Sequence, residues 1–236
     1  MTLDINYYFN HTERFPIPGF FDGIRETFEI FPRVKSVLDD MLTSRNVKDV
    51  RGEIRGEAPI YHGCYFIDEG TVIYNGVTIM GPVYIGRDCE IMPGAVIRPY
   101  SIIGDGCSIG HGSEVKRTVM MNGSKVASLS FAGDSILGVS ARIGSGVITA
   151  NRRFDQGSVS IRIAGERRDL GDTYFGCVLG DNSRMGANSV SQPGTHIGPF
   201  SWVYPITNVR GFIAKAKRVY NDQALVFEDN EIIELQ

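Results

Sequence analysis

The 236-residue sequence lacks the features that mark membrane, secreted and nucleic-acid-binding proteins. No stretch reaches the roughly 18 consecutive apolar residues that a membrane-spanning helix needs. The first residues, MTLDINYYFNHTERF, contain neither the basic segment nor the apolar core of a secretory signal. A formal net charge of −3 gives no electrostatic reason to expect nucleic acid or an anionic membrane as a partner. We therefore expect a cytoplasmic protein.

Glycine and a six-residue repeat are what the sequence has in abundance. Its 28 glycines are scattered along the chain, which implies many tight turns. From Ile67 to Val115 an aliphatic residue occupies every sixth position, and a small or β-branched residue usually follows four places later. Neither the helical period of 3.6 nor the strand period of 2 gives this spacing. The pattern predicts an all-β solenoid with three six-residue segments in each triangular coil.

Cysteine is scarce, and the four cysteines include no closely spaced pair of the kind that binds zinc. Cys89 and Cys107 are 18 residues apart, which is one full coil. We predict that they stack inside the solenoid and have a packing role there. Reduced thiols are expected in the cytoplasm.

The repeat divides the chain into three parts. The solenoid is predicted to cover residues 59–209, with residues 150–174 extruded as a hairpin-like loop, because the phase survives the 36 residues from Ile143 to Leu179. Residues 1–58 suggest two short amphipathic helices, broken near Pro32, that cap the open first coil. Residues 210–236 form a C-terminal extension.

The repeats, of the form aliphatic–Gly–x–x–small–x, resemble those of the left-handed β-helix (hexapeptide-repeat) acyltransferases. The motifs PGAVIRP, EVK, GDSILG and IGSGVITANRRFD also occur in the order found in one branch of that family. This branch is the glucosamine-1-phosphate N-acetyltransferase domain of the bifunctional enzyme that makes UDP-N-acetylglucosamine, with its archaeal and stand-alone relatives. The resemblance covers residues 67–209 and implies a left-handed parallel β-helix. It also implies acetyl-CoA as co-substrate and a homotrimer with sites between solenoids.

The same resemblance implies where the substrate binds. Arg98 of VIRP and Lys116 of EVK correspond to ligands of the sugar phosphate, and an arginine fork with a lysine point charge suits a phosphate dianion. Asn151 corresponds to an asparagine that contacts the sugar from the next chain, and Arg152 lies at the rim of the same pocket. The glycine-rich loop of a nucleotidyltransferase domain does not occur, so uridylyl transfer is not expected.

The cofactor groove of this family runs along the second half of the solenoid. In this sequence it would include Ser145, Ala187 and Tyr204. Tyr204 and the neighbouring Trp202 are bulky residues where small ones are usual. They either pack under the C-terminal part or reshape the groove.

The segment GSEVKRTVMMNGSKVASLSFAGDSILG, residues 112–138, interrupts the repeat, and we expect its coil to bend and build the reaction site. In the family this segment carries a histidine that acts as the general base. Here Ser128 has that position, and Phe131 replaces a tyrosine of the sugar pocket. Serine is a poor proton acceptor near neutral pH, whereas general-base assistance contributes about 10²–10⁴-fold in rate.

Two other residues are candidate bases. Glu114, which orients the histidine in relatives, is present and would act directly through a water molecule. His111 precedes Ser128 by 17 residues, close to one coil, so it is predicted to lie on the neighbouring coil. No zinc site is expected, because His62, His111 and His196 are too far apart in coil number to converge.

Three functions are therefore considered. The first is an acetyl-CoA-dependent N-acetyltransferase acting on an amino-sugar 1-phosphate or a related nucleotide sugar, with an altered base. The second is a catalytically weak or inactive trimeric relative that binds a sugar phosphate. The third is a purely structural solenoid. The retained Arg98, Lys116, Glu114 and Asn151 favour the first two, and the acetyltransferase is the leading hypothesis.

Overall fold

The computed structural model describes residues 2–57, 59–163 and 165–222. Within them, 26 of the strands form three parallel sheets that surround a common core. The first sheet contains, in spatial order, β1 (Lys48–Val50), β4 (Tyr65–Ile67), β7 (Val83–Ile85), β10 (Ser101–Ile103), β13 (Val119–Met120), β16 (Ile136–Leu137), β21 (Cys177–Leu179), β24 (Thr195–Ile197) and β27 (Phe212–Ile213).

The other two sheets follow the same order along the solenoid axis. The second sheet contains β2 (Glu53–Arg55), β5 (Val72–Tyr74), β8 (Glu90–Ile91), β11 (Ser108–Ile109), β14 (Lys125–Val126), β17 (Arg142–Ile143), β22 (Arg184–Met185), β25 (Trp202–Val203) and β28 (Arg218–Val219). The third contains β3 (Ile60–His62), β6 (Thr78–Met80), β9 (Val96–Ile97), β12 (Glu114–Lys116), β15 (Phe131–Gly133), β18 (Ile148–Thr149), β23 (Val190–Ser191) and β26 (Asn208–Val209).

This architecture confirms the predicted all-β solenoid, a left-handed parallel β-helix of six-residue repeats. The repeated aliphatic residues point inward and form buried columns, as Ile67, Ile85 and Ile103 do in the first sheet. Cys89 and Cys107 are buried in adjacent coils of the same core. The strands of the solenoid begin at Lys48 and continue to Val219, so the coils extend beyond the predicted range of 59–209 at both ends.

The interrupted segment does not bend, and the prediction that it would is wrong. Its strands keep the parallel register, with Ile103 paired to Met120 and Met120 paired to Leu137. The repeat changes phase because two sides of the triangle have five residues instead of six. These sides end in tight corners, where Arg117 and Asp134 adopt positive φ angles of 43° and 49°.

Residues 2–47 form short helices: α1 (Ile5–Tyr8), α2 (Ile30–Leu38), single turns at Thr12–Arg14 and Thr27–Glu29, and a π-helical turn at Asp39–Thr43. The predicted break near Pro32 is absent. Pro32 is the third residue of α2. In the first turn of a helix the backbone N–H has no helical partner, so a proline there removes no helical hydrogen bond.

The N-terminal segment packs along the outer face of the first sheet, so the prediction that it caps the first coil is also wrong. The outward residues Ile102, Val119, Ile136 and Val178 of that sheet are apolar and buried beneath it. An apolar outer column has to be covered, because leaving it in water costs about 25 cal/mol per Å².

Residues 152–174 leave the solenoid after the third sheet. They contain the antiparallel hairpin of β19 (Ser160–Ile163) and β20 (Glu166–Asp169). The predicted C-terminal extension from residue 210 continues the coils as far as Val219, and its residues 223–236 lie outside the described residues. No helix in the described part of the chain is long and apolar enough to cross a membrane.

His196 joins the N-terminal segment to the solenoid. Its ring is fully buried, donates from Nδ1 to the Gly194 carbonyl at 2.9 Å, and lies with Nε2 2.9 Å from the Thr27 hydroxyl. The rings of Tyr8 and Phe175 contact it at centroid distances of 5.6 Å. Burial lowers the pKa of His196 to about 4.

The stability of the protein should therefore fall with acid between pH 6.5 and 4. In this window the unfolded chain binds a proton at this histidine that the folded chain excludes. Above pH 6.5 this histidine is neutral in both states and the free energy of unfolding has its full value. About 3 kcal/mol of that free energy is lost as the pH falls to 4. Urea unfolding between pH 7 and 5 measures the slope. His196→Gln should reduce it, whereas replacing the exposed His62 should not. Equal slopes in wild type and His196→Gln would contradict this account.

Candidate functional site

The residues predicted to bind the sugar phosphate lie on the outward face of the third sheet. Glu114 is paired in register with Val96 on one side and Phe131 on the other. Arg98 follows β9 and donates from Nη1 to Glu114 Oε1 at 2.7 Å. The Arg98 and Glu114 side chains are 40% and 38% exposed, so a ligand can reach both.

Lys116, Phe131 and Asn151 form the centre of this face. Gly133, the in-register neighbour of Lys116, leaves space for the Phe131 ring. A Cβ at Gly133 would lie 2.5 Å from two ring atoms of Phe131 and 2.8 Å from Nδ2 of Asn151. The glycine is therefore required for the aromatic ring to lie over its own strand beside Asn151.

A buried carboxylate holds the cations of this face. Asp134 has no exposed surface, and it accepts hydrogen bonds from Lys116 Nζ at 3.1 Å, from Asn151 Nδ2 at 2.5 Å and from Arg117 Nε. Arg117 also donates to Asp172 Oδ2 at 2.7 Å. We call these five residues the corner network.

Arg117 is the centre of the corner network. Burial alone would lower the pKa of Arg117, but Asp134 and Asp172 outweigh it and hold that pKa above its usual value. The same guanidinium donates to the Tyr174 carbonyl at 2.6 Å and lies 4.9 Å from the centroid of the Phe31 ring. It therefore connects the solenoid corner to the root of the hairpin loop and to α2.

Tyr174 is a site residue that the sequence did not reveal. Lys116 Nζ lies 4.3 Å and Arg152 Cζ 5.1 Å from the centroid of its ring. Each cation is attracted to the aromatic face. Arg152, predicted to lie at the rim, is exposed and shares this contact. The sequence repeat gives no signal for Tyr174, because the hairpin loop does not follow the repeat.

Ser128 and His111 lie on adjacent coils, at the corner between the second and third sheets. The amide of Leu129 donates to the His111 carbonyl at 2.8 Å. The His111 side chain is exposed, and its Nδ1 lies 2.7 Å from the Pro93 carbonyl. A carbonyl only accepts, so Nδ1 carries the hydrogen and Nε2 of a neutral ring has a free lone pair.

Ser145, Ala187 and Tyr204, the predicted cofactor residues, line one groove of about 440 Å³ beside the second sheet. Its outward column contains Arg142, Arg184 and Trp202. Gly144 and Gly186 also line it, and a Cβ at either glycine would collide with the backbone of the next coil. Tyr204 and Trp202 are 40% and 43% exposed and line the groove, where they are available to a ligand.

One ridge separates this groove from the face of the third sheet. The ridge is the series of corners between the two sheets, and it carries His111, Ser128, Ser145 and Ala187. Ser145 and Ala187 line the predicted cofactor groove, whereas Ser128 and His111 lie one and two coils before Ser145, beside the predicted sugar site. Among the described residues, no group of three or more His, Cys, Asp and Glu is arranged to hold a metal ion.

Comparisons with known proteins show which proteins the chain is similar to. The model of the GMPPB C-terminal domain matches residues 79–191. The chain is 35% identical over 187 residues to a bifunctional sugar-1-phosphate nucleotidylyltransferase/acetyltransferase of Sulfurisphaera tokodaii. The aligned region covers 79% of this chain and 45% of that protein. The chain is also 34% identical over 162 residues to YaiX of Escherichia coli K12, which is named an uncharacterized acetyltransferase. This aligned region covers 68% of this chain and 70% of YaiX.

Among solved structures, the chain is similar to an Arabidopsis UDP-N-acetylglucosamine acyltransferase. The superposition covers 75% of this chain and 68% of the Arabidopsis chain. Its TM-score is 0.48 at 17% identity. The chain spans about half the length of the bifunctional relatives that it matches.

Replacing Asp134 with asparagine should loosen the corner network. The change leaves Lys116 and Arg117 without their buried counter-charge, and breaking such a pair costs about 3 kcal/mol or more. We expect a lower free energy of unfolding and faster tryptic cleavage at the exposed Arg162 and Arg167 of the hairpin. Asp155→Asn, an exposed carboxylate of the same loop, is the control. Cleavage of Asp134→Asn at the rate of this control would show that the network does not hold the hairpin.

Proposed function

Because the protein belongs to the left-handed β-helix (hexapeptide-repeat) acyltransferase family, we propose that it transfers the acetyl group of acetyl-CoA to the amine of an amino-sugar 1-phosphate. One observation carries the proposal more than any other. Residues separated by up to 53 positions in the sequence meet on the outward face of one sheet: Arg98, Glu114, Lys116, Phe131 and Asn151.

The sugar phosphate would bind to Arg98 and Lys116. The guanidinium can engage two phosphate oxygens, and the ammonium adds a point charge one coil away. Both cations already have carboxylate partners, Glu114 and Asp134, which hold them in place without a ligand. Phe131 and Tyr174 provide apolar surfaces for the sugar ring.

Acetyl-CoA would lie in the groove lined by Ser145, Ala187 and Tyr204. Arg142 and Arg184 are exposed at its edge and suit the phosphates of the co-substrate. A homotrimer, in which a neighbouring solenoid closes each site, is part of this proposal. The fully exposed Phe154 of the hairpin loop is an apolar residue suited to such a contact.

We assign the general base to His111. Its Nε2 lone pair is free, whereas Glu114 is engaged by Arg98 and the Ser128 hydroxyl is a poor acceptor. The amine nitrogen attacks the thioester carbonyl carbon, a C–N bond forms and the C–S bond breaks. His111 takes the proton from the nitrogen and passes it to the departing CoA sulfur, so charge and atoms balance.

A second function, binding of a sugar phosphate without efficient catalysis, is favoured by one observation. Ser128 and Phe131 both lack the groups that the family uses at these positions, and Glu114 is occupied by Arg98. In this alternative, Arg98 and Lys116 bind the same ligand.

Incubation with acetyl-CoA and glucosamine 1-phosphate should release free thiol, and release should require both compounds. Arg98→Gln should raise KM for the sugar phosphate roughly tenfold, because a charge-assisted hydrogen bond contributes about 1.5–3 kcal/mol. Arg55→Gln, an exposed arginine far along the solenoid, should leave KM unchanged. Micromolar binding of glucosamine 1-phosphate with no thiol release would reject the transferase and support the binding protein.

His111→Asn should lower kcat by about 10²-fold or more, because it removes the proton acceptor. The asparagine amide can still donate to the Pro93 carbonyl, so the corner should keep its structure. KM for the sugar phosphate should change little, and unfolding curves should match those of wild type. His62→Asn, an exposed histidine away from the ridge, is the control. An unchanged kcat would assign the base to another group.

A further inference from the structure

One coil near the end of the solenoid presents a row of large apolar side chains to solvent. Four alternate residues of this coil are between 40% and 70% exposed, and we call them the apolar row: Phe200, Trp202, Tyr204 and Ile206. With Tyr220 of the next coil, they are five of the ten large apolar residues that are exposed in the described part of the chain. Such a concentration of exposed apolar surface is typical of a face that binds a partner.

The two ends of the apolar row lie at corners where the backbone disfavours large side chains. Phe200 and Ile206 have positive φ angles of 58° and 57°. The preceding coil has Asn182 and Asn188 at the same two corners, with φ angles of 58° and 55°. Asparagine adopts this conformation readily, whereas a bulky or β-branched residue does so at a cost in free energy. Folding alone would therefore favour asparagine at both ends of the row.

Basic side chains lie on both sides of the apolar row. Arg184 on the preceding coil and Arg218 on the next coil are the in-register neighbours of Trp202. Lys215 and Lys217 extend the basic border on the next coil. All four cations are exposed, and none forms a salt bridge with a carboxylate of residues 2–57, 59–163 or 165–222. This face is therefore positively charged, although the net charge of the whole chain is −3.

Aromatic and basic side chains on one face are the combination that suits a membrane–water interface. Tryptophan and tyrosine place their apolar rings below the headgroups and keep their polar tips at headgroup level. Lysine and arginine on either side of such rings meet the phosphates of anionic lipids. A lipid surface adapts to side chains that protrude from corners, as Phe200 and Ile206 do, whereas a folded protein partner would need matching pockets.

We propose that this face binds the surface of a bilayer that contains anionic lipids, with the apolar row inserted among the headgroups and the cations on the lipid phosphates. The inference does not depend on the proposed function. Trp202 and Tyr204 also line the predicted cofactor groove, but Phe200 and Ile206 do not. The contact with the bilayer can therefore be altered at the two ends of the row without changing the groove.

Trp202 is the only tryptophan of the chain, so its fluorescence reports directly on this face. Titration of the full chain, free of CoA, with vesicles of equimolar phosphatidylcholine and phosphatidylglycerol should shift its emission to the blue. Lipids with brominated acyl chains should quench it. Vesicles of phosphatidylcholine alone should bind much more weakly, and added salt should weaken binding to the mixed vesicles. Unchanged emission, or equal binding to both kinds of vesicle, would overturn the inference.

The double variant Phe200→Asn, Ile206→Asn should weaken vesicle binding about tenfold or more, because two large apolar side chains no longer leave water. Its free energy of unfolding should equal or exceed that of wild type, since asparagine suits both corners. Leu129→Asn is the control, because Leu129 is 65% exposed at a corner with a φ angle of 59° and lies outside the row. Equal binding by the double variant and by this control would contradict the proposal.

The triple variant Lys215→Gln, Lys217→Gln, Arg218→Gln should weaken binding to the mixed vesicles about 100-fold, because each cation near an anionic leaflet contributes roughly fivefold. A control with the same loss of charge removes three exposed cations at the other end of the solenoid: Arg45→Gln, Lys48→Gln, Arg55→Gln. Equal losses of binding in the two triple variants would show that only the total charge matters, which would refute a specific face.

Two outcomes would assign the face to a different partner, and either would overturn the inference. If polyglutamate shifts the Trp202 emission as strongly as the vesicles do, while brominated lipids leave it unquenched, the partner is an acidic protein. If the double variant Phe200→Asn, Ile206→Asn changes the oligomeric state in sedimentation analysis, the apolar row lies between copies of this chain.

Discussion

The in-register stacking of parallel coils is the constraint on which the rest of this structure depends. Each inward aliphatic residue lies over its equivalent from the preceding coil, so a buried column fixes the register of all three sheets. Outward residues 16 to 18 positions apart are then neighbours. Arg98 meets Glu114, Lys116 meets Asp134, and Ser128 follows His111 for this reason alone.

Two shortened sides of the triangle modify this regular stack without breaking it. They place Arg117 and Asp134 in corners with positive φ, a conformation that costs non-glycine residues free energy. The gain is a fully buried carboxylate surrounded by a lysine, an arginine and an asparagine. This arrangement orients the cations of the third sheet and also anchors the hairpin loop through Asp172. The irregular stretch of sequence is therefore a place where the repeat is adjusted to build a charged corner.

The fold could be predicted because it follows from the period of the repeat. The candidate site residues were assigned from the resemblance to a family, and the structure places Arg98, Glu114, Lys116 and Phe131 on one face because their strands are paired in register. The packing of the N-terminal segment could not be predicted in this way. It depends on the apolar outer column of the first sheet, which includes Ile102 and Val119 and which the inward repeat does not describe. Tyr174 and Asp172 were missed because the direction of the hairpin loop is set by tertiary contacts with Arg117, 55 and 57 residues away.

In the proposed function, the face of the third sheet binds the sugar phosphate and His111 accepts the proton. The central claim is that the face of the third sheet receives the sugar phosphate. A crystal structure with glucosamine 1-phosphate bound tests this claim most directly. The account predicts that the phosphate lies within hydrogen-bonding distance of Arg98 and Lys116, next to the Tyr174 ring. A phosphate bound elsewhere, with both cations still paired only to Glu114 and Asp134, would contradict it.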